Sequence, residues 1–204
     1  IIEWNEDNFD VNSIPYTAQA YSVGKYAFVS DYTRFKILYE HGGLYFDTDV
    51  EVIRRMDDII AAGPFMGFEI DAADPSVGVN PGLGLGALPG MDFFKTILAK
   101  YGSFNFLKSD GSLNETTIVT YTTGLLEENG LAAMPGLQNV MGLNLYPAEY
   151  FNPLDNNTGR LKITSNTRTI HWYAKTWYDG SQWRIKLSRL THRLLGTELP
   201  GKLR

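Results

Sequence analysis

Apolar residues recur at helical spacing in the first quarter of the chain. They follow one another at intervals of four, three and four residues, at Phe28, Tyr32, Phe35 and Tyr39. This spacing places them on one face of an α-helix. Two glycines, at 42–43, come next, and glycine commonly ends a helix. The pattern therefore predicts a helix from Tyr26 to Glu40.

Short apolar runs elsewhere predict strands, because buried strands are brief and rich in β-branched and aromatic residues. The runs cover residues 44–46, 50–53, 64–70, 143–146 and 168–172. The opening residues, 1–11, are typical of a strand followed by a turn. A Gly-rich apolar stretch at 77–88 predicts a strand edge or a tight loop.

Three further helices are predicted, at residues 91–102, at 115–128 and, after a capping Ser181, at 182–195. Helices that alternate with short apolar strands indicate an α/β sheet. No linker divides the chain, and 204 residues with 44% hydrophobic content can bury one sizeable core. We therefore expect a single domain over residues 1–204.

Composition excludes several classes of protein. The formal net charge of −5 argues against a nucleic-acid partner. The absence of cysteine excludes a disulfide framework and a cysteine-based zinc site. No apolar run reaches the roughly 18 residues that a membrane span needs. These features favour a cytoplasmic protein.

The C-terminal segment is basic although the chain is acidic. Residues 172–204 contain seven Lys or Arg and two acidic residues, and the helix at about 181–196 is amphipathic. A basic amphipathic helix can lie on an anionic membrane, here the inner face of the cell membrane. The alternative is a helix that packs on the domain and leaves its basic face in water.

Two carboxylates, Asp47 and Asp49, follow the predicted strand at 44–46, and ligands of open α/β sheets bind at such strand ends. Residues i and i+2 of an extended chain lie about 7 Å apart, too far to grip one ion unless the chain turns. We expect one aspartate to bind Mn²⁺ or Mg²⁺ directly and the other to act through a water or a substrate hydroxyl. A solvated turn is the alternative interpretation.

The preceding helix carries Asp31 and Arg34, which are three residues apart and share one face. One hypothesis is a surface ion pair, which contributes little stability. The other hypothesis is that both side chains point into the pocket of the two aspartates. Asn80, in the Gly-rich stretch, could reach a donor or acceptor hydroxyl, although a plain turn also explains that stretch.

The stretch SDYTRFKILYEHGGLYFDTDV resembles the central motif of glycosyltransferase family 32, the sugar-transferase region with the DXD motif. The matching positions are Ser30, Asp31, Arg34, Leu38, Tyr39, Gly42, Gly43, Tyr45, Asp47, Asp49 and Val50. Weaker landmarks follow in the family's order at residues 122–124, 146–153 and 169–177. The resemblance thus extends over most of the chain.

The resemblance implies a GT-A fold, that is, a Rossmann-like mixed sheet flanked by helices, and retaining transfer from a UDP- or GDP-linked sugar. It implies that Asp49 is the direct metal ligand, with His171 as a further contact to metal or diphosphate. Asp47 resembles the residue that touches ribose, sugar or metal-bound water. Without the resemblance, a lone histidine between apolar neighbours is more often a core residue.

The remaining implied roles concern the donor sugar. Asp31 and Arg34 resemble the residues that hold it, and Trp177 resembles a tryptophan near the leaving phosphate, although by itself it is typical of a core. We therefore predict catalytic roles for Asp31, Arg34 and Asp47. Donor contacts are predicted for these three together with Asn80 and Trp177, and metal ligation for Asp47, Asp49 and His171.

The chain departs from the family in two places. The family's usual opening strand, which carries part of the nucleobase pocket, is absent, so we expect a sheet that lacks its first N-terminal strand. The family's Thr-Gly-Pro is Thr-Gly-Leu here, ending at Leu125, which affects only a loop.

These features favour a hexosyltransferase that acts on a saccharide or lipid-linked acceptor in surface polysaccharide synthesis. Asp47 and Asp49 would be occupied by metal, so the family's front-face attack by the acceptor is expected instead of a carboxylate nucleophile. One alternative is a phosphatase of the haloacid dehalogenase type, with Asp47 as nucleophile and Asp49 as acid/base, but Glu51 stands where that motif needs Thr or Val. The other is a non-catalytic carbohydrate- or nucleotide-sugar-binding protein.

Overall fold

The computed structural model describes residues 2–70 and 78–173. The predicted basic helix at about 181–196 and Trp177 lie outside the described residues. None of the helices in the described ranges combines the length and apolar character that crossing a bilayer requires.

The described chain alternates helices with short strands. The helices are α1 (Pro15–Ser22), α2 (Tyr26–His41), α3 (Asp57–Ala61), α4 (Asp92–Gly102), α5 (Ile118–Glu128) and α6 (Ala148–Phe151). The strands are β1 (Gly43–Tyr45), β2 (Val50–Val52), β3 (Phe65–Phe68), β4 (Val79–Asn80), β5 (Leu85–Ala87), β6 (Gln138–Val140), β7 (Leu143–Tyr146) and β8 (Thr169–His171).

Within the described residues, six strands form one mixed sheet in the order β1-β5-β3-β7-β6, with β4 paired to β3. β3 runs parallel to β7 and antiparallel to β5, and β5 is antiparallel to β1. The carboxyl ends of β1, β3 and β7 therefore lie at the same edge. Strands β2 and β8 form a separate antiparallel pair. This mixed sheet flanked by helices confirms the predicted α/β class and is consistent with a GT-A-like fold.

The central strand β3 is buried on both faces. Met66 and Phe68 belong to the main core, which α1, α2, α4 and α5 cover. Phe65, which points the other way along the strand, packs in a second cluster with Leu83 and Phe151. Both faces of the sheet are therefore covered.

The strand and helix predictions hold for most of the described elements, with boundary shifts of one to three residues in most cases. The Gly-rich stretch forms both β4 and β5, joined by a tight turn. Four elements were not predicted, namely α1, α3, α6 and β6. The three helices are short and lack a clear apolar stripe, so periodicity alone gives no signal for them.

The predicted opening strand is wrong for residues 2–11, which contain a turn and no strand. The side chain of Asn5 accepts a hydrogen bond from the Asp7 amide at 2.9 Å, and that of Asn8 accepts one from the Asn5 amide at 2.8 Å. Such local bonds offer the backbone an alternative to a sheet ladder.

Candidate metal site

Asp47 and Asp49 follow β1 at the edge where the parallel strands end. The Asp47 amide donates to the carbonyl of Gly82 at 3.0 Å, which ties the chain to the β4–β5 turn. The Val50 amide then donates to the Asp47 carbonyl at 3.1 Å and closes a tight turn. The chain therefore turns between the aspartates, which is the condition under which both can approach one ion.

His171 reaches the same place through the pairing of β2 with β8. In that ladder His171 stands opposite Val50, the residue after Asp49. Its Nε2 atom lies 3.1 Å from Oδ1 of Asp49 and 3.8 Å from Oδ2 of Asp47. One donor atom from each of the three side chains lies within 4.8 Å of the other two.

These three side chains fit a divalent cation. Two carboxylate oxygens and an imidazole nitrogen suit Mn²⁺, whereas Mg²⁺ prefers oxygen ligands alone. His171 is 7% exposed, and its Nδ1 atom has no hydrogen-bond partner among the described residues. A histidine placed only for core packing would not turn Nε2 toward two carboxylates, so the geometry favours the ligand interpretation over the core one.

Arg34 connects the carboxylates to helix α2. Its guanidinium donates to Oδ1 of Asp47 at 2.9 Å and to Oδ1 of Asp31 at 3.0 Å. It also donates to the hydroxyl of Ser30, one turn earlier, at 3.2 Å. Arg34 is 7% exposed and Asp31 is 9% exposed. The pair is thus buried at the site, and the surface ion-pair interpretation is wrong.

The buried charges shift the acidity of the site in opposite directions. Burial raises the pKa of Asp31 to about 6, although the Arg34 guanidinium opposes the shift. Burial also pushes the pKa of Asp47 upward, but the His171 imidazole, the Arg34 guanidinium and the Tyr45 hydroxyl together lower it to about 2. Asp47 is therefore ionised at neutral pH, whereas Asp31 gains or loses its proton close to neutral pH.

Tyr45 belongs to the site, although sequence reasoning assigned it no role. Its hydroxyl donates to Oδ1 of Asp47 at 2.9 Å, and its ring lies 4.5 Å from the guanidinium carbon of Arg34. The signal was present in the sequence, because residues i and i+2 of an extended segment point the same way. Tyr45 fixes both the carboxylate and the guanidinium.

The β4–β5 turn closes the site beside Asp47. A Cβ atom added at Gly82 would lie 2.1 Å from Oδ2 of Asp47 and 3.1 Å from Oδ1 of Asn80. Oδ1 of Asn80 accepts a hydrogen bond from the Gly82 amide at 2.8 Å. Asn80 therefore lies next to Asp47, and its carbonyl oxygen shapes the turn, as the plain-turn alternative expected.

The structure brings together five of the predicted site residues, with Asn80 beside them. The five are Asp31, Arg34, Asp47, Asp49 and His171. Trp177 is outside the described residues. The arrangement combines a candidate cation site with a buried guanidinium at a sheet edge, and this combination can bind a ligand that carries both phosphate and hydroxyl groups.

Comparison with known proteins agrees with this geometry. Residues 1–66 match the family described as glycosyltransferase sugar-binding region containing DXD motif. That range contains Asp31, Arg34, Asp47 and Asp49, so the predicted family resemblance is confirmed where the motif lies. No significant match to a curated protein or to a solved structure accompanies it.

Proposed function

We propose that this chain, whose residues 1–66 match the glycosyltransferase sugar-binding region with a DXD motif, is a metal-dependent, retaining hexosyltransferase. The donor is a UDP- or GDP-linked sugar, and the acceptor is a saccharide or a glycolipid. The observation that carries the proposal is the convergence of Asp47, Asp49 and His171 within 4.8 Å beside the buried Arg34.

The candidate ligands define what a bound cation contributes. Asp49, Asp47 and His171 would hold Mn²⁺, or Mg²⁺ as the weaker fit, and the cation would neutralise charge that develops on the diphosphate leaving group. Arg34 keeps Asp47 ionised and fixes its orientation through a 2.9 Å hydrogen bond. The ligand set is thereby held in place before the donor arrives.

The donor sugar is oriented by the groups on α2. Asp31 is buried and fixed by Arg34, so its second carboxylate oxygen can accept a hydrogen bond from a sugar hydroxyl. Asn80 lies beside Asp47 at the edge of the same site and is assigned to the donor as well. Trp177, assigned to the leaving phosphate, completes the proposed donor site. Fixed orientation of this kind lowers the entropic part of the barrier.

Front-face attack by the acceptor hydroxyl accounts for retention. Oδ1 of Asp47 accepts hydrogen bonds from Arg34 and Tyr45, which makes it a poor nucleophile. Asp49 faces the imidazole of His171 at 3.1 Å. Neither carboxylate is therefore suited to form a covalent glycosyl intermediate, and the same contacts disfavour the phosphatase alternative, in which Asp47 must attack phosphorus.

The acceptor and the location follow from the same proposal. We assign the chain, residues 1–204, to one GT-A-like domain in the cytoplasm that acts in surface polysaccharide, such as capsule, synthesis. The basic segment at about 181–196 would contact anionic lipid at the inner face of the membrane and bring the site to a lipid-linked acceptor. Nucleic acid is not a partner in this proposal.

Calorimetric titration with a panel of UDP- and GDP-sugars tests the proposal, with Mn²⁺ in one series and a chelator in the other. We expect one donor to bind only with Mn²⁺. Asp49→Ala should abolish that binding without unfolding the chain, whereas Asp92→Asn, at an exposed position on α4, should leave it unchanged.

Two results would contradict the proposal. Binding that persists with the chelator, or in folded Asp49→Ala, would remove the metal role. Donor binding without transfer to any acceptor, and without slow donor hydrolysis, would support the non-catalytic carbohydrate-binding alternative.

A further inference from the structure

In the part of the chain that the structure describes, no hydrogen bond fixes the second ring nitrogen of His171. Such a histidine normally donates its second ring nitrogen to a carboxylate, a carbonyl or a water, which fixes the orientation of the ring. In His171 the Nε2 atom faces the two aspartates, and the buried Nδ1 atom has no hydrogen-bond partner among residues 2–70 and 78–173. A contact with a neighbouring ring also bears on the orientation of the imidazole.

That contact is the ring of Tyr173. The centroids of the two rings are 4.2 Å apart and their planes meet at 83°. An edge-to-face contact this close restricts rotation of the imidazole about its side-chain bonds. Tyr173 is two residues after His171, just beyond the end of β8, so it packs against the ring without taking part in the strand ladder.

Tyr173 is itself fixed at its hydroxyl. The hydroxyl donates to Oε1 of Glu69 at 3.0 Å and accepts a hydrogen bond from Nδ2 of Asn152 at 2.8 Å. Nδ2 of Asn152 also donates to the carbonyl of Glu69 at 2.7 Å. Glu69 follows β3 and Asn152 follows α6, so the anchor consists of two elements that belong to the sheet and its covering layer.

The backbone at Tyr173 shows that this placement is imposed. Its φ angle is +51°, a left-handed conformation that a bulky residue other than glycine adopts only when its surroundings require it. Local strain of this kind concentrates at functional sites. The next residue back, Trp172, donates its amide to the Asp49 carbonyl at 3.0 Å, which joins the same segment to the acidic turn.

We infer that Tyr173 is a positioning residue for the cation: it holds the His171 imidazole toward Asp47 and Asp49 by ring packing, and Glu69 and Asn152 anchor it in turn. The inference rests on the proposed metal role of His171. Ring packing supplies the orientation that a hydrogen bond at Nδ1 supplies in other metal sites.

The test is a titration of the full chain with Mn²⁺, once in the presence of UDP and once in the presence of GDP. Electron paramagnetic resonance monitors the free Mn²⁺ and so gives the Mn²⁺ affinity. Tyr173→Phe keeps the ring and loses the anchor, so we expect Mn²⁺ affinity to fall about three- to tenfold. Tyr173→Leu loses both the ring and the anchor. Its Mn²⁺ affinity should fall about 10- to 100-fold, the range found when groups that orient metal ligands are removed. Mg²⁺ affinity, measured by competition, should fall less, because Mg²⁺ relies on oxygen ligands.

Tyr121→Phe is the matched control. Tyr121 also bonds an asparagine through its hydroxyl, Asn114, and stacks on Phe104, but it lies on α5 and outside the metal site. We expect its Mn²⁺ affinity to equal that of the wild type. Thermal unfolding without metal shows whether each variant is folded, and Tyr173→Phe keeps the test decisive if Tyr173→Leu does not fold.

The outcomes separate the inference from the proposed function. If the wild type binds Mn²⁺ and folded Tyr173→Phe binds it equally well, the inference is wrong and the metal site stands. If Tyr173→Phe and Tyr173→Leu each lose as much Mg²⁺ affinity as Mn²⁺ affinity, Tyr173 has a general structural role and the inference is again wrong. If the wild type binds no Mn²⁺ with either nucleotide, the proposed function fails and the inference fails with it.

Discussion

Arg34 bridges two carboxylates with one guanidinium, and this arrangement sets the charge of the site. Its bonds to Asp31 and Asp47 leave the described cluster with more negative than positive charge, because Asp49 adds a third carboxylate. A buried excess of negative charge is unfavourable unless a cation or a proton balances it. The site is therefore suited to a cation and sensitive to pH.

The raised pKa of Asp31 predicts a pH-dependent stability. Because that pKa is about 6 in the folded chain against an ordinary value of 3.8 for an aspartate, the folded state binds the proton more tightly. The stabilisation is complete below about pH 4 and is lost as the pH rises through about 6. Between these limits the free energy of unfolding of the metal-free wild type should fall, relative to Asp31→Asn, by on the order of 2 kcal/mol.

Urea denaturation of both proteins at several pH values measures this difference. Asp92→Asn, at an exposed position on α4, is the matched control for replacing an aspartate outside the site. A constant difference between the wild type and Asp31→Asn from pH 4 to 6 would contradict the raised pKa. The lowered pKa of Asp47 acts in the opposite sense and outside this window, because its stabilisation is lost only as the pH falls from about 4 toward 2.

Gly82 is predicted to be essential for donor binding because a side chain there has no room beside Asp47, and not because of its backbone angle. A Cβ atom there would lie 2.1 Å from Oδ2 of Asp47, so Gly82→Ala must displace the carboxylate or the turn. We expect loss of Mn²⁺-dependent donor binding by at least about tenfold, as for other groups that orient metal ligands, measured by calorimetry. Gly124→Ala is the control: its Cβ meets open space on helix α5, and it should stabilise the fold slightly. Equal donor binding by folded Gly82→Ala would show that the carboxylate tolerates the shift.

At the scale of elements, the turn from α2 into β1 decides whether Arg34 and Asp47 meet. Gly42 ends α2 with φ +66° and ψ −161°, a conformation that essentially only glycine adopts. A Cβ atom at Gly42 would also lie 2.8 Å from Cδ of Pro89. The turn thus requires glycine for both its angle and its close packing.

Gly42→Ala should therefore destabilise the chain and weaken donor binding together. We expect a loss of about 2–3 kcal/mol in the free energy of unfolding, since backbone strain and a clash add, measured by urea denaturation. Gly24→Ala is the comparison, because Gly24 also has a positive φ, +72°, but its Cβ would meet nothing within 4 Å. Its loss should be about 1–2 kcal/mol, and a loss as large as that of Gly42→Ala would contradict the added cost expected at Gly42.

The pairing of β2 with β8 is the second decisive element contact. It carries His171 to the acidic turn, and Arg168, just before β8, donates to Asp58 of α3 at 2.6 Å. β2 was predicted from its apolar character, and β8 from the run at 168–172. Their pairing was not predictable, because a three-residue strand carries no local mark of its partner.

At the scale of the whole molecule, the cation site joins segments that are far apart in sequence. Asp47 and Asp49 follow β1, His171 ends β8, Asn80 ends β4, and Gly82 lies in the β4–β5 turn. These segments form the site only in the folded chain. A ligand that binds there stabilises the folded state and not the unfolded one.

Mn²⁺ with the bound nucleotide should therefore raise the unfolding temperature of the whole chain. At ligand concentrations of about 100 times the dissociation constant the gain is about 2.7 kcal/mol, which corresponds to several degrees for a chain of this size. Scanning calorimetry with Mn²⁺, and again after a chelator is added, measures the shift and its reversal. His171→Ala should show a much smaller shift, and a shift of wild-type size in that variant would remove the histidine from the site.

The sequence by itself determined those parts of this site that depend on neighbouring residues along the chain. Helical periodicity placed Asp31 and Arg34 on one face of α2, and the glycine pair with the two aspartates marked the turn after β1, because both depend on neighbours within a few residues. Only the tertiary structure decided that Arg34 is buried against Asp47, that Gly82 leaves room for that carboxylate, and that the β2–β8 ladder brings in His171. Those contacts depend on strand register and on packing between distant segments, which local patterns leave open.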